Sequence, residues 1–523
     1  MKARIINWGP IADCEFDLDK DLLVIYGENS VGKSYAMQVL YIVLKQILPY
    51  MRFRAYYHAT AQKYDTQGPL KQVVEWITAF SQNKEIQEEN ITEKLMHCYE
   101  KQLVEEIFLT IEEALFNTFG TYEQILGENP VISLFEDEKF LFQIYPTEKT
   151  IKLKLPMKPV YLKKTSSGFH KSREFKSRLD VYVYNNEMQA PMQILQQQLW
   201  KINQILGNEI LSVTKSVYFL PASRSGIYTA MNSFGPVMAQ LSRNRSLFKR
   251  GIQIPSIPEP ITDYYMLLSG IRVDTRDRFK KYAQVIEEKI LQGEVKFDNN
   301  KKTLTYTEYG GNQTMEMNDV SSMISEISPI TAYLKYIVEN TSEYEEKSTN
   351  KISASQSILF IEEPEAHLHP KNQVELIRIF AELSKQNIKL ILASHSNYIF
   401  NELNNLVLAG ALDEKTYEPI LMKRSEGRML MYSKEANNRK QEIDRQHHTI
   451  PNQRANDKHH GNVYNLLFRY GKVRSQNMEK LKSSFPTFCK RTFPQLHKIA
   501  SYAHYAQCRL LRKPSHFIIY SRK

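Results

Sequence analysis

Gly27-Glu28-Asn29-Ser30-Val31-Gly32-Lys33-Ser34 is the stretch that decides how this chain is read. It fits G-x-x-x-x-G-K-[ST], the pattern of a loop that wraps nucleotide phosphates. Gly27 and Gly32 admit backbone angles that a Cβ would obstruct. The N–H groups of Glu28, Asn29, Ser30, Val31 and their neighbours can then turn toward phosphate oxygens. Lys33 is expected to reach the β- and γ-phosphates of ATP, and the Ser34 hydroxyl to ligate Mg²⁺. The flanks agree with this. Leu22-Leu23-Val24-Ile25-Tyr26 is a short apolar run that reads as a buried strand. Tyr35 to Leu48 carries apolar residues at helical spacing, which predicts a helix whose N-terminus faces the phosphates.

With 523 residues, the chain has room for two or three domains. Its four cysteines, Cys14, Cys98, Cys489 and Cys508, are too few and too scattered for a disulfide framework or a zinc knuckle. A reducing, cytoplasmic setting is the expectation. The opening residues hold no apolar signal-peptide core, and no apolar run reaches the ~18 residues of a membrane span. No membrane partner is expected. The net charge of +11 is uneven: residues 436–523 hold 18 Lys/Arg against 4 Asp/Glu, a balance of +14, which leaves the first 435 residues at −3.

Taken in order, residues 1–50 read as an opening strand pair, the phosphate loop and its helix. Residues 51–214 read as a mainly helical insertion with a small β element. Helical periodicity runs over Leu70–Phe80, Glu93–Phe119 and Met188–Ile210, while Lys149–Leu155 and Leu179–Tyr184 are rich in β-formers. Residues 215–435 return to strand–helix alternation, and 436–523 form a basic tail. Ser216–Leu220 reads as a buried strand that ends at Pro221-Ala222-Ser223-Arg224-Ser225-Gly226. On spacing alone, Arg224 is as well a solvated surface arginine as a functional one.

The second half of a nucleotide site follows. Ser357-Ile358-Leu359-Phe360-Ile361-Glu362-Glu363 is an apolar strand ending in two carboxylates. Phosphate-loop enzymes need one acid there for the Mg²⁺ shell and a neighbour to activate water. Glu362 is assigned the metal side and Glu363 the general base. Adjacent residues on a strand point to opposite faces, so the strand end must bend if both serve one site. Lys389–Ala393 is another short apolar strand, ending in Ser394-His395-Ser396; an imidazole at such an edge suits contact with a γ-phosphate. The helical spacing of Gln373–Gln386 between these strands makes a βαβ unit and a parallel sheet.

Together, these pieces resemble the ABC-type ATPase heads of the OLD, RecF and SMC group, and within it the OLD-like ATPases of bacterial anti-phage systems, including Septu- and retron-associated ones. The resemblance rests on Gly27–Ser34, on Phe219-Leu220-Pro221-Ala222-Ser223-Arg224-Ser225-Gly226, on Ile361-Glu362-Glu363-Pro364-Glu365-Ala366-His367-Leu368-His369-Pro370 and on Ala393-Ser394-His395-Ser396. It implies an α/β ABC-type P-loop head with catalytic Glu363, Lys33 and His395, a Mg²⁺ site at Ser34 and Glu362, and ATP as cofactor. It further implies a homodimer or higher even oligomer, in which Ser321 and Ser322 of one chain contact the ATP of the other. Met323 stands where that signature ordinarily has glycine. A role in anti-phage defence with a separate effector, a nuclease or toxin, is implied in the same way. The alternatives are a RecF- or SMC-like DNA-repair ATPase and an ATP-gated scaffold that binds ATP but barely cleaves it.

The tail keeps three readings open: a nucleic-acid or partner-binding appendage, a plain basic structural segment, and a shift of reading frame in the source gene. Its paired histidines, His447-His448 and His459-His460, have no cysteine or acidic partner at zinc-ligand spacing. It also lacks the D-x-D cluster of an OLD-type nuclease.

Overall fold

The computed structural model describes residues 1–52, 69–83, 85–136, 139–153, 159–165, 172–174, 177–184, 214–232, 257–273, 279–338, 356–425 and 428–432. All lie in one compact unit, Met1–Asp444. The helical expectation for Met188–Ile210 and the basic tail from 436 lie outside the described residues.

The described strands are β1 (Lys2–Trp8), β2 (Ile11–Asp17), β3 (Leu22–Tyr26), β4 (Glu88–Asn90), β5 (Val131–Glu136), β6 (Lys139–Tyr145), β7 (Thr150–Leu153), β8 (Val160–Thr165), β9 (Ser172–Glu174), β10 (Leu179–Tyr184), β11 (Thr214–Leu220), β12 (Gly293–Asp298), β13 (Thr303–Glu308), β14 (Thr314–Glu316), β15 (Gln356–Glu362), β16 (Ile388–Ser394), β17 (Tyr417–Ser425) and β18 (Arg428–Tyr432). Eleven of them form one sheet in the order β11-β15-β16-β3-β17-β18-β2-β1-β5-β6-β7. Its first five strands are parallel throughout, and the strands beyond β17 are mainly antiparallel.

Physical chemistry separates the two halves. In the parallel half, alternate residues of each strand enter two different cores. Leu23, Ile25, Phe360 and Ile391 pack on the side of helix Lys33–Arg52. Leu22, Val24, Leu359, Ile361, Leu390 and Leu392 pack on the side of helices Glu259–Ser269, Ser322–Ala332 and Pro370–Leu383. Strands covered on both faces read as unbroken apolar runs, and β3 and β15 do. The antiparallel half buries one face, with Ala3, Ile5, Cys14, Phe16, Ile132, Leu134, Phe142 and Ile144 in the first core.

One expectation is corrected here. The β-formers of 149–155 and 179–184 do not make a common small sheet. β7 continues the main sheet through β6 and β5, which pairs with β1. Only β10 lies in a separate four-stranded sheet, ordered β4-β8-β10-β9. The reason is edge pairing: β1 would otherwise leave its outer backbone groups unpaired, and β5 satisfies them.

Candidate nucleotide site

The parallel half brings the sequence-predicted groups to one edge. β3 ends at Tyr26, the loop follows, and helix Lys33–Arg52 begins where it closes. Two glycines are demanded by what surrounds them. A Cβ on Gly27, whose φ is +154°, would stand 2.7 Å from the Met422 carbonyl oxygen and 2.9 Å from Val31 Cγ2. Gly32 has φ +83°, a left-handed angle that disfavours any side chain. Val31 is buried and anchors the loop, while Glu28, Asn29 and Ser30 are exposed around it.

Lys33 is 5% exposed, and its ammonium is held by the loop itself. Nζ donates to the carbonyls of Gly27 at 3.0 Å and Glu28 at 2.8 Å, and stands 3.1 Å from His395 Nδ1. Burial pushes its pKa down to about 8, although Glu363 and Glu365 pull it back up. His395 Nδ1 also lies 3.0 Å from the Gly27 carbonyl oxygen. That nitrogen can accept from Lys33 or donate to Gly27, but not both in one tautomer.

β15 supplies the carboxylates. Glu362 is 4% exposed and takes hydrogen bonds from Ala222 N–H at 3.2 Å and Gln38 Nε2 at 3.4 Å. Burial raises its pKa; the hydrogen bonds from Ala222 and the Ser34 hydroxyl partly offset this. A buried carboxylate beside a serine hydroxyl, with nothing but neutral donors on it, fits a divalent cation, which would remove the desolvation penalty. Among the described residues, no three His, Cys, Asp or Glu side chains gather as a metal cage. A Mg²⁺ bound here would therefore draw on phosphate oxygens and water besides Glu362 and Ser34.

Glu363 stands outside the strand. The required bend is made by this residue itself, at φ +42°, a left-handed angle that costs a glutamate roughly 1–3 kcal/mol. Its N–H still bonds to the Ala393 carbonyl at 2.9 Å. Its carboxylate is 45% exposed and 3.6 Å from His395 Nε2. Strain stored at this residue is consistent with a working position.

Two contributors were missed in the sequence. Glu365 accepts from Ser394 Oγ at 2.8 Å and from the His395 N–H at 2.6 Å, so it seats the histidine. Its place in the Glu-Glu-Pro-Glu string was the available signal. Gln38 lies one helical turn beyond Ser34, on the same face, and that spacing could have found it.

Ser321 and Ser322 are not brought into this constellation. Both are exposed at the start of helix Ser322–Ala332, where Ser321 accepts from Ile324 N–H as the N-cap. Met323 is turned toward helix Pro370–Leu383, its sulfur 3.5 Å from Asn372 Nδ2.

The profile of the AAA ATPase domain matches residues 1–400. A comparison with curated proteins finds no match. Among solved structures, an SMC head bound to the C-winged helix domain of ScpA shares 9% identity over 84% of this chain and 98% of its own, with a TM-score of 0.33. The SMC head domain from Thermotoga maritima shares 8% over 82% and 97%, at 0.29. An Smc head with an extended coiled coil, bound to the C-terminal domain of ScpA derived from Pyrococcus furiosus, shares 10% over 85% and 98%, at 0.29. All three superpositions are loose. No described helix is long and apolar enough to cross a membrane.

Proposed function

As the chain belongs to the AAA ATPase domain family, we propose that it cleaves ATP to ADP and phosphate in a Mg²⁺-dependent reaction, as an ABC-type head of the OLD-like class. The observation that carries this is the meeting, at one sheet edge, of the Lys33 ammonium, the buried Glu362 carboxylate near Ser34, and the Glu363–His395 pair. Bound Mg²⁺ would screen the charge that develops on the phosphoryl oxygens. The chain's own residues do the rest. Lys33 exchanges the Gly27 and Glu28 carbonyls for phosphate oxygens, and the loop N–H groups cradle the nucleotide. Glu363, left half-exposed, takes a proton from the attacking water. His395, seated by Glu365, contacts the γ-phosphate through a ring nitrogen.

We further read Ser321 and Ser322 as groups donated to the nucleotide of a second copy. Their exposure at a helix N-terminus suits an anion arriving from outside the chain. Work in anti-phage defence with a separate effector, in the cytoplasm, is supported by the Glu-Glu-Pro-Glu-Ala-His-Leu-His-Pro string. Met323 in place of glycine favours one second reading, a scaffold gated by ATP binding alone, because a thioether packed on Asn372 crowds the head of that helix. Turnover of ATP by the wild-type protein and by Lys33→Ala, with Mg²⁺ and with and without double-stranded DNA, separates these readings. Equal turnover by a folded Lys33→Ala protein removes the site assignment. Wild-type binding without turnover selects the scaffold.

A further inference from the structure

β11 delivers Arg224 to the start of the helical residues 224–232, directly after Ser223 in a left-handed conformation at φ +54°. The side chain has no solvent exposure. Its guanidinium donates to main-chain carbonyls on three segments. NH1 reaches Pro221 O at 3.1 Å and Glu362 O at 2.7 Å, NH2 reaches Glu363 O at 3.2 Å, and Nε reaches Glu326 O at 3.0 Å. Glu326, itself 1% exposed, closes the arrangement from helix Ser322–Ala332. Its carboxylate accepts from Arg224 N–H at 3.0 Å, Ser225 N–H at 3.1 Å and Ser225 Oγ at 2.6 Å. The Tyr264 hydroxyl fixes the Arg224 carbonyl at 3.0 Å.

A buried ion pair is poor stabilisation compared with well-packed apolar groups of the same volume. Its geometry here has a specific address. The two carbonyls that Arg224 holds at the end of β15 belong to consecutive residues, the metal-side Glu362 and the water-side Glu363 just beyond it. Glu363 is also the residue held at an unfavourable backbone angle, so its peptide needs an external clamp. A planar fork that spans two successive carbonyls does this, and a lysine ammonium, a single point donor, does not.

We infer that Arg224 is a positioning residue for ATP cleavage. Together with Glu326 it ties the Glu362–Glu363 main chain to helix Ser322–Ala332, so that the Glu363 carboxylate is aligned only while that helix is seated. The inference rests on the ATPase reading above. It also gives the helix headed by Ser321 and Ser322 a physical route to the water-activating group: a second copy that presses on the helix N-terminus moves Glu326, and Glu326 moves the Arg224 clamp.

The test uses Arg224→Lys, Glu326→Gln and the double variant in the full chain. Three quantities are measured for each: the Kd of a non-hydrolysable fluorescent ATP analogue, the single-turnover cleavage rate and the Tm. Nucleotide affinity is expected to stay within about threefold of wild type, because the clamp grips β15 rather than the phosphate loop. Cleavage is expected to fall about tenfold to a hundredfold in either single variant, the scale of a small misplacement of a reacting group. The double variant is expected to be no slower than the slower single one, because both cut the same relay. Should Arg224→Lys fail to fold, Glu326→Gln carries the test, with Ser225→Ala as a milder cut expected to slow cleavage about threefold. Cleavage within twofold of wild type in a folded single variant overturns the inference. Affinity lost in step with rate, or losses that multiply in the double, also overturns it, because a merely structural role predicts those. A wild-type protein that never cleaves ATP overturns the ATPase reading itself, a result read before any variant is made.

Discussion

Lys33 makes the pH dependence of ATP binding a sharp test of the site. In the nucleotide-free protein, burial pushes its pKa down to about 8, because the ammonium has only the Gly27 and Glu28 carbonyls and His395 in place of water. Triphosphate oxygens beside it would hold the proton to well above that value. The sign follows directly. A group whose pKa rises on binding takes up a proton, so affinity is full below the free-state pKa and falls as pH climbs through it. One pH unit above that point is worth a factor of ten, or 1.36 kcal/mol. With a free-state pKa of about 8, Mg-ATP should bind about tenfold more weakly at pH 9 than at pH 7, and about thirtyfold more weakly at pH 9.5. The assay is a nucleotide titration from pH 7 to 9.5 at fixed ionic strength, repeated on Lys33→Arg. A guanidinium stays charged across that range, so the variant's affinity should hold level whatever its absolute value. Wild-type affinity that is flat over the range, or an equally steep decline in Lys33→Arg, would refute the reasoning.

Other outcomes are expected with it. Glu363→Gln should bind ATP at near wild-type affinity, lose cleavage by at least about a hundredfold and accumulate an ATP-held dimer, visible by light scattering with ATP and Mg²⁺; normal cleavage would move the general base elsewhere. Ser321→Arg and Lys33→Ala should each be inactive alone, yet recover up to about a quarter of wild-type activity when mixed, since random pairing makes about half the dimers mixed with one intact site each. No recovery after verified subunit exchange would argue for sites complete within one chain. Truncation before Ala436 should abolish nucleic-acid binding and its salt dependence, if the +14 tail makes the phosphate contacts; an unchanged salt slope would exclude the tail.

Much of the site was legible because its parts are local strings on strands buried from both sides. β3, β15 and β16 carry no alternation to misread, and each is followed at once by the residues it presents. What stayed hidden depends on partners far away in sequence. Arg224 looked like a turn residue until Glu326 and the Glu362 and Glu363 carbonyls enclosed it. That the strand end must bend after Glu362 was legible from the paired carboxylates, but not that Glu363 itself makes the turn. β5–β7 read as part of an insertion because their half-buried pattern does not say which edge they will join.

The order of the central strands bears on how the protein is made. β3, the strand that presents the phosphate loop, lies between β16 and β17, with Leu22 paired to both Leu390 and Tyr417. All five of its residues are buried. On a translating ribosome, β16 is not made until about three quarters of the chain is out and β17 until about four fifths, a delay of roughly 20–80 s at ordinary elongation rates. Through that interval Leu22–Tyr26 is an apolar strand with two open edges, the kind of segment that pairs with other chains. The Met422 carbonyl, which lies close against Gly27, is part of β17 and comes with it. β3 therefore gains both of its neighbours only once synthesis has passed β17, and a chain that stops earlier leaves this apolar strand with an open edge.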